Sequence, residues 1–282
     1  DRKDVIVEID TSNSTTAVTG IHYQIISSPV KEGTEEVQMQ SQEFDTNDTK
    51  IRLPGINTAG TTRILAYAKG ENGKTSETGM LDIRYDSTAP VLNKVDLNGD
   101  KKENFEWFRS NVEVSVKKEN ITENNSGIDG YYYKRDGSSE TYVRDITRVL
   151  DVSKNGTTKI ELQIVDKAGN KSEWVSVDVN KDDQNPDKPT LSQTDQTINS
   201  IKVRAVGNDN ESGISGYRFE IRPISGSNND WSSPDNATIT TDAGTCEYTF
   251  EGKDRGEYMA RVFVLDKAGN ENMSEATGVN TQ

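Results

Sequence analysis

The 282-residue sequence has one cysteine, one histidine and no apolar run near the roughly 20 residues that a membrane helix needs. Cys246 alone cannot form a disulfide within the chain, which excludes the class of small domains held together by cystines. His22 has no serine or cysteine motif near it, so a Ser-His-Asp arrangement is not expected. We predict that packing alone stabilises the fold and that His22 and Cys246 are ordinary strand residues.

Positive charge and apolar residues are also scarce. The chain carries 33 lysines and arginines against 47 acidic residues, a net charge of −14, and is 31% hydrophobic. An acidic surface without a basic stripe argues against nucleic-acid binding and against anionic membranes. A glycine-rich phosphate loop and a His/Cys cluster at zinc spacing are both absent from the sequence. We predict a non-enzymatic protein, with no catalytic, cofactor-binding or metal-binding residue.

The pentapeptide Asp-Lys-Ala-Gly-Asn occurs twice, at residues 166–170 and 266–270. Each copy follows a run in which apolar and polar residues alternate, and a period of two predicts a half-buried β-strand. Aspartate and asparagine bond their own backbone in turns, and glycine accepts a positive φ. The pentapeptide is therefore interpreted as the tight turn of a hairpin between antiparallel strands, present about once per domain.

A second motif, Ser-Gly-Ile-x-Gly, stands at residues 126–130 and 212–216. Weaker counterparts of both motifs end at Gly20 and begin at Gly70. Fifteen residues separate Val5 from Gly20 and also Ile201 from Gly216, and fifty separate each of these glycines from its hairpin. In the middle copy the same intervals are 18 and 36, so its differences fall in loops. We predict three domains, at residues 1–87, 88–184 and 185–282.

The second and third copies each carry a segment before the strand that corresponds to Val5–Ile9, and the first copy lacks it. We expect that the sequence starts inside its first domain, whose outermost strand is missing or disordered.

The two motifs resemble those of immunoglobulin-like or fibronectin-III-like repeats of bacterial surface proteins, in which a turn of the type D-x-x-SGI and a DxAGN hairpin recur. Residues 107–116 (WFRSNVEVSV) and 86–90 (DSTAP) are similar to that family as well. The resemblance implies three tandem antiparallel β-sandwiches of about seven strands each, in line with the closely spaced turn signals. It also implies a monomeric, extracellular bacterial segment that is a spacer or stalk, or an adhesion module.

Two other functions stay open, because one sandwich fold hosts many functions. The first is a carbohydrate- or host-ligand-binding module, whose partner would be a glycan or an unknown protein. Its candidate binding platform is a set of aromatic residues. Aromatic residues of a small sandwich more often belong to the hydrophobic core than to a binding surface, and only Trp231 of this set looks exposed. The candidates are Trp107, Phe108, Tyr131, Tyr132, Tyr133, Trp174 and Trp231. The second is an accessory region of a large extracellular hydrolase.

Calcium is the one metal that the sequence raises as a hypothesis. Residues 96–100 place oxygens at positions 1, 3 and 5 of a calcium loop, but Lys101 and Trp107 occupy its positions 6 and 12, so a strand-ending turn is favoured. Asp166 and Asp266 could be ligands, although Gly70 at the equivalent place favours turn capping. A calcium clamp between domains has four candidate ligands in the linkers, which are otherwise solvated acids: Asp86, Asp182, Asp183 and Asp187.

A covalent cross-link is the other stabilising device that stays open. Surface domains of the kind that this sequence resembles sometimes join a lysine to an asparagine by an isopeptide bond where they lack disulfides. Such a bond needs a lysine, an asparagine and an acid buried together, and Lys94 on a predicted first strand is the candidate donor.

Overall fold

A computed structural model of the protein describes residues 5–29, 40–53, 60–227 and 229–282. Within these ranges the regular structure consists of antiparallel strands and one short 3-10 helix, Lys118–Asn120. No helix in them is long and apolar enough to span a membrane. The predicted all-β class is confirmed. The segments 1–87, 88–184 and 185–282 are called the first, second and third repeat below.

The first repeat forms two sheets in its described residues. Strand β1 pairs with β4, and the second sheet has the order β3-β2-β5-β6. The strands are β1 (Val5–Glu8), β2 (Val18–Pro29), β3 (Gln40–Thr46), β4 (Lys50–Leu53), β5 (Gly60–Gly70) and β6 (Gly79–Tyr85).

The second repeat contains a four-stranded sheet, β12-β11-β14-β15, a three-stranded sheet, β13-β9-β8, and the pair β7-β10. Its strands are β7 (Val91–Leu92), β8 (Asp96–Asn98), β9 (Val112–Ser115), β10 (Ile121–Thr122), β11 (Ile128–Arg135), β12 (Thr141–Val143), β13 (Leu150–Val152), β14 (Gly156–Asp166) and β15 (Val175–Lys181).

The sequence also predicts one continuous first strand of the second repeat, from Val91 to Leu97, and this prediction is wrong. The chain crosses between sheets within this run, because β7 pairs with β10 whereas β8 pairs with β9. Leu92 and Leu97 both pack against the same core, one from each side of the crossing. Alternation alone does not reveal such a crossing, since both halves keep their apolar residues.

The third repeat has a three-stranded sheet, β16-β17-β20, and a five-stranded sheet in which β19-β18-β21 continues to both β22 and β23. Strand β17 therefore has partners on both edges, whereas its counterpart β1 pairs only with β4 in the described part of the first repeat. The strands are β16 (Thr190–Gln196), β17 (Ser200–Val206), β18 (Ile214–Pro223), β19 (Thr238–Thr240), β20 (Thr245–Glu251), β21 (Glu257–Asp266), β22 (Glu271–Met273) and β23 (Thr277–Asn280).

In the described parts of the chain, apolar side chains gather in three separate clusters, each confined to one repeat. The alternating runs supply them: every second residue of β21 is buried, from Tyr258 to Asp266. Cys246 is a buried residue of β20, in agreement with its interpretation as a strand residue. Burial raises the pKa of its thiol. The aromatic triplet splits as alternation demands, with Tyr131 1% exposed and Tyr132 on the opposite face against Lys171.

The Ser-Gly-Ile-x-Gly motif and its weaker counterpart in the first repeat form the same β-bulge. The register shifts between Val18 and Gly20, between Ile128 and Gly130, and between Ile214 and Gly216. The last glycine faces a neighbouring backbone, and a Cβ on Gly216 would lie 2.6 Å from the carbonyl oxygen of Ile239. At Gly20 the equivalent space is wider, with the nearest atoms at 3.5 Å.

We predict that Gly216→Ala destabilises the third repeat by about 1–3 kcal/mol, because the new methyl group must push the strand β19 backbone away. Urea denaturation followed by circular dichroism measures the change. Gly278→Ala is the matched control, since a Cβ there meets no atom within 4 Å, and it should leave the midpoint nearly unchanged. Equal midpoints for the two variants would contradict this interpretation of the motif.

Candidate functional site: carboxylate clusters between repeats

The two Asp-Lys-Ala-Gly-Asn segments are hairpin turns, as predicted. Asp266 Oδ1 accepts hydrogen bonds from the backbone N–H groups of Ala268 (2.8 Å) and Asn270 (2.9 Å). Gly269 adopts a φ of +82°, which side-chain-bearing residues rarely adopt. Asp166 and Asn170 repeat the arrangement at 2.8 Å. Both aspartates therefore cap their own turns.

The asparagine of each turn also reaches across the predicted domain boundary. Asn170 Nδ2 donates to the backbone oxygen of Asp86 at 3.2 Å, and Asn270 Nδ2 donates to that of Asp182 at 3.0 Å. The same amide groups donate to Asp166 and Asp266 within their turns. One side chain thus joins a hairpin to the linker that precedes its repeat.

The linker aspartates complete the contact through the second motif. Asp182 Oδ2 accepts from Ser212 Oγ at 2.6 Å, and Asp86 Oδ2 accepts from the backbone N–H of Ser126 at 3.1 Å. Asn125 Nδ2 donates to Asp86 as well, at 3.1 Å. Equivalent residues meet at both boundaries, so the two junctions follow one plan.

A third carboxylate lies beside each of these pairs. Glu123 accepts from the backbone N–H of Gly127 at 3.1 Å, and Asp209 accepts from that of Gly213 at 2.6 Å. Each acid stands three residues before the serine of its motif. Two groups of carboxylates result, called the junction triads, whose oxygens lie within 4.8 Å of one another: Asp86, Glu123 and Asp166; and Asp182, Asp209 and Asp266.

Burial of neighbouring carboxylates makes the fully ionised form of the second triad unfavourable. Asp182 and Asp266 are both 0% exposed. Burial, aided by the nearby charge of Asp182, raises the pKa of Asp266 to about 6, against the opposing hydrogen bonds from Asn270 and Ala268. Asp266 can share a proton with a neighbouring carboxylate of the triad. Alternatively, the carboxylate oxygens of the whole triad can ligate a hard divalent cation such as calcium.

Of the linker acids proposed from the sequence as calcium ligands, the structure brings only Asp86 and Asp182 into a triad. Asp183 bonds to Lys181 at 2.6 Å, and Asp187 accepts from Asn208 at 2.8 Å. The hairpin aspartates join both triads. Glu123 and Asp209 were missed, although the D-x-x-SGI pattern marks their place.

The other candidate residues have structural partners. Asp96 pairs with Lys94 and Lys117, which lower the pKa of its carboxyl to about 2, and it begins the short strand β8. The side chain of Lys94 is 68% exposed, so the proposed isopeptide donor is wrong because it is not buried. His22 contacts Asp45 at 3.2 Å and stacks on Tyr67.

Trp231 is half-buried, and the expectation of an exposed ring is wrong. The guanidinium carbon of Arg261 lies 4.2 Å from its ring centroid, and that of Arg222 lies at 5.2 Å. Cation–π packing of this kind covers the face of the indole. The described side chains around Trp231 therefore form no aromatic patch for a sugar.

These features define a class: a chain of tandem immunoglobulin-like β-sandwich repeats with side-chain contacts at its junctions. The family model described as "Bacterial Ig-like domain" matches residues 185–280, which lie within the third repeat. No curated protein matches the sequence.

Among solved structures the chain is similar to fibronectin domains FN1–FN3 of chicken CNTN1, with 14% identity over 96% of this chain and 91% of that one, at a TM-score of 0.32. It is also similar to a tetra-tandem repeat from the extending region of a large adhesion protein, with 13% identity over 95% of this chain and 68% of that one, at a TM-score of 0.37. Similarities of this size carry no argument about function.

We predict that Asp266 titrates with a midpoint near pH 6 in the folded protein, well above the roughly 3.9 of an unfolded chain. The folded state then binds this proton more tightly, so the contribution of Asp266 to stability is present below about pH 4 and is lost as the pH rises through 6. NMR titration of the side-chain carboxyl carbons measures the midpoint. Asp145, whose pKa is lowered by hydrogen bonds from Thr147, serves as the reference. A midpoint below 4 for Asp266 would refute the expected burial effect.

The calcium hypothesis from the sequence predicts that calcium added to metal-stripped protein raises the melting temperature. A hundredfold excess over Kd corresponds to about 2.7 kcal/mol. Asp209→Asn should abolish the shift for the third repeat, because it removes one negative ligand. Asp195→Asn, an exposed acid of the same repeat, should leave the shift intact. No shift at millimolar calcium removes the hypothesis and leaves the triads as hydrogen-bonded junctions.

Proposed function

We propose that this chain is a spacer or stalk segment of an exported bacterial surface protein, with each repeat held against the next. The observation that supports this most directly is the duplicated junction. At both boundaries a linker aspartate bonds to the Ser-Gly-Ile turn, and a hairpin asparagine bonds to the linker backbone. Contacts that recur at each boundary restrict hinge motion between neighbouring repeats. A chain of sandwiches with restricted hinges keeps a fixed spacing and transmits force.

The second linker is held from both sides. Lys181 and Asp183 bond to each other and to Asn155 of the second repeat, whereas Asp182 between them bonds to Ser212 of the third. The backbone N–H of Asp182 also donates to the carbonyl oxygen of Phe108 at 2.8 Å. Three successive residues are therefore tied down, which leaves no free hinge at this point.

A loop of the second repeat adds a further contact across the same boundary. Lys102 Nζ donates to the carbonyl oxygen of Gly269 at 3.4 Å. The ring of Phe105 also lies against Gly269, so closely that a Cβ there would meet it at 3.3 Å. The hairpin of the third repeat is thus contacted both by the linker and by this loop.

Adhesion is the second candidate, and a surface of the second repeat favours it. Tyr132 and Tyr142 pair on the outer face of the four-stranded sheet, with ring centroids 5.1 Å apart, and Tyr142 is 40% exposed. Lys171 lies over Tyr132 at 4.1 Å. Aromatic and cationic groups of this kind suit a glycan or a protein partner. Binding on glycan or matrix-protein arrays that Tyr142→Ala abolishes would favour this function over a spacer.

For the spacer function we predict that Asp182→Ala loosens the junction between the second and third repeats while both stay folded. The variant loses the hydrogen bonds to Ser212, worth roughly 1–3 kcal/mol for a charged acceptor. Residual dipolar couplings measure the effect: one alignment tensor should fit both repeats in the parent chain, and two different tensors should be needed in the variant.

Asp195→Ala, at an exposed position of the third repeat, is the matched control and should keep a single tensor. A single tensor in Asp182→Ala would rule out the aspartate as the fastener of the junction. Two tensors already in the parent chain would rule out the restricted spacer itself.

A further inference from the structure

Strand β1 of the first repeat has a free edge. In the second and third repeats the counterpart strands, β9 and β17, are covered at this edge by β8 and β16, whereas β1 pairs only with β4 among the described residues. The N–H of Ile9 donates to Thr49 on the β4 side. Because successive residues of a strand face opposite edges, the N–H and C=O groups of Ile6 and Glu8 face the free edge. They are a template for one more antiparallel strand.

An open groove of about 460 Å³ lies beside this edge, between β1 and β6. Val7 and Ile9 of β1 line one side and are only half-buried, and Leu81 of β6 lines the other side and is 45% exposed. The counterparts of the two β1 residues in β17, Val203 and Ala205, are 0% exposed. Apolar positions that are covered in the third repeat are therefore partly open in the first.

The other two repeats show what fills the corresponding space. Leu191 of β16 belongs to the core of the third repeat, and Leu97 of β8 packs against the core of the second. The groove of the first repeat has room for at least such a side chain, because Ala66 and Ala68 line it where β14 carries leucine and isoleucine. A strand added beside β1 would therefore bury a leucine or a larger apolar residue in the groove.

The rim of the groove is acidic. Glu8, Asp10 and Glu77 line it, and among the described residues no lysine or arginine does. Lys50 of β4 contacts Glu8 at 3.7 Å and offsets one of the three charges. Glu8 stands where β17 carries Arg204, so the charge that faces an added strand is reversed in the first repeat. A second copy of this chain, with its net charge of −14, is a poor match for the rim, whereas a basic residue opposite Glu8 would pair with it.

We propose that the free edge of β1 binds an extended, basic peptide segment of another protein as an added antiparallel strand. The peptide backbone bonds to Ile6 and Glu8, and an apolar side chain opposite Ile9 enters the groove. The next residue of the peptide is a lysine or arginine that faces Glu8. Main-chain pairing provides affinity, and the groove and the acidic rim select the sequence. The site lies in the first repeat and does not depend on the junction contacts that support the spacer function.

The probe is a synthetic peptide with the sequence of residues 188–197, which contains β16, and with Ser192→Lys to place a basic residue opposite Glu8. Added to the isotope-labelled full chain, it should shift the amide NMR signals of Ile6 and Glu8 and slow their hydrogen exchange by about tenfold. A methyl group on the peptide nitrogen of position 192, which points at β1, should abolish binding. The same group at position 193, which points away from β1, should leave binding intact.

Equal binding of the two methylated peptides would overturn the proposal, and so would the absence of binding at millimolar peptide. Slow exchange of the Ile6 and Glu8 amides in the free chain would overturn it as well, because the edge would then already be covered by this chain or by a second copy. None of these outcomes bears on the spacer function, which the alignment tensors of the second and third repeats test separately.

A charge exchange tests the choice of a basic partner. Glu8→Arg, which the fold should accept because β17 carries Arg204 at this position, should weaken binding of the lysine-containing peptide severalfold. A peptide with Ser192→Glu should bind this variant better than it binds the parent chain. Asp235→Arg, at an exposed acid of the third repeat, is the matched control and should change neither affinity. Affinities that are the same in Glu8→Arg and in the parent chain would overturn the basic character of the partner.

Discussion

The junctions of this chain depend on the hydrogen bonds that the side-chain amide of each hairpin asparagine donates. Asn270 Nδ2 donates both to Asp266 within its own turn and to the backbone of Asp182 in the linker, and Asn170 does the same one repeat earlier. Turn and junction thus share one group. A hairpin in another conformation would lose its hydrogen bond to the linker backbone. The local fold and the attachment of neighbouring repeats are therefore stabilised together.

Burying carboxylates in a chain of net charge −14 is costly, and the two junctions offset the cost differently. At the second, Ser212 donates through both its hydroxyl and its N–H to Asp182. At the first, Ser126 donates only its N–H to Asp86, and its buried hydroxyl, like Asn125 Oδ1, has no partner in the described part of the chain. The second junction is the better hydrogen-bonded, and its buried Asp266 carries the raised pKa.

Strand alternation explains how one linker serves two repeats. Consecutive side chains of an extended chain lie on opposite sides, so Lys181 and Asp183 meet each other and Asn155 while Asp182 lies towards Ser212. A change of one residue in this register would exchange the partners. The charge order Lys-Asp-Asp therefore encodes which acid neutralises the buried lysine and which one meets the next repeat.

The sequence alone determined the local structure. The strands follow from their period of two, the hairpins from Asp-Lys-Ala-Gly-Asn, and the repeat from two equal spacings. These signals are short-range, because turns and alternation depend on neighbouring residues. Only the tertiary structure decided which acids share a site and which lysine is buried. Glu123 stands 43 residues before Asp166, and Lys94 and Lys181 look alike in sequence although one is exposed and the other enclosed. Burial and proximity arise when distant strands pack, and no spacing along the chain expresses them.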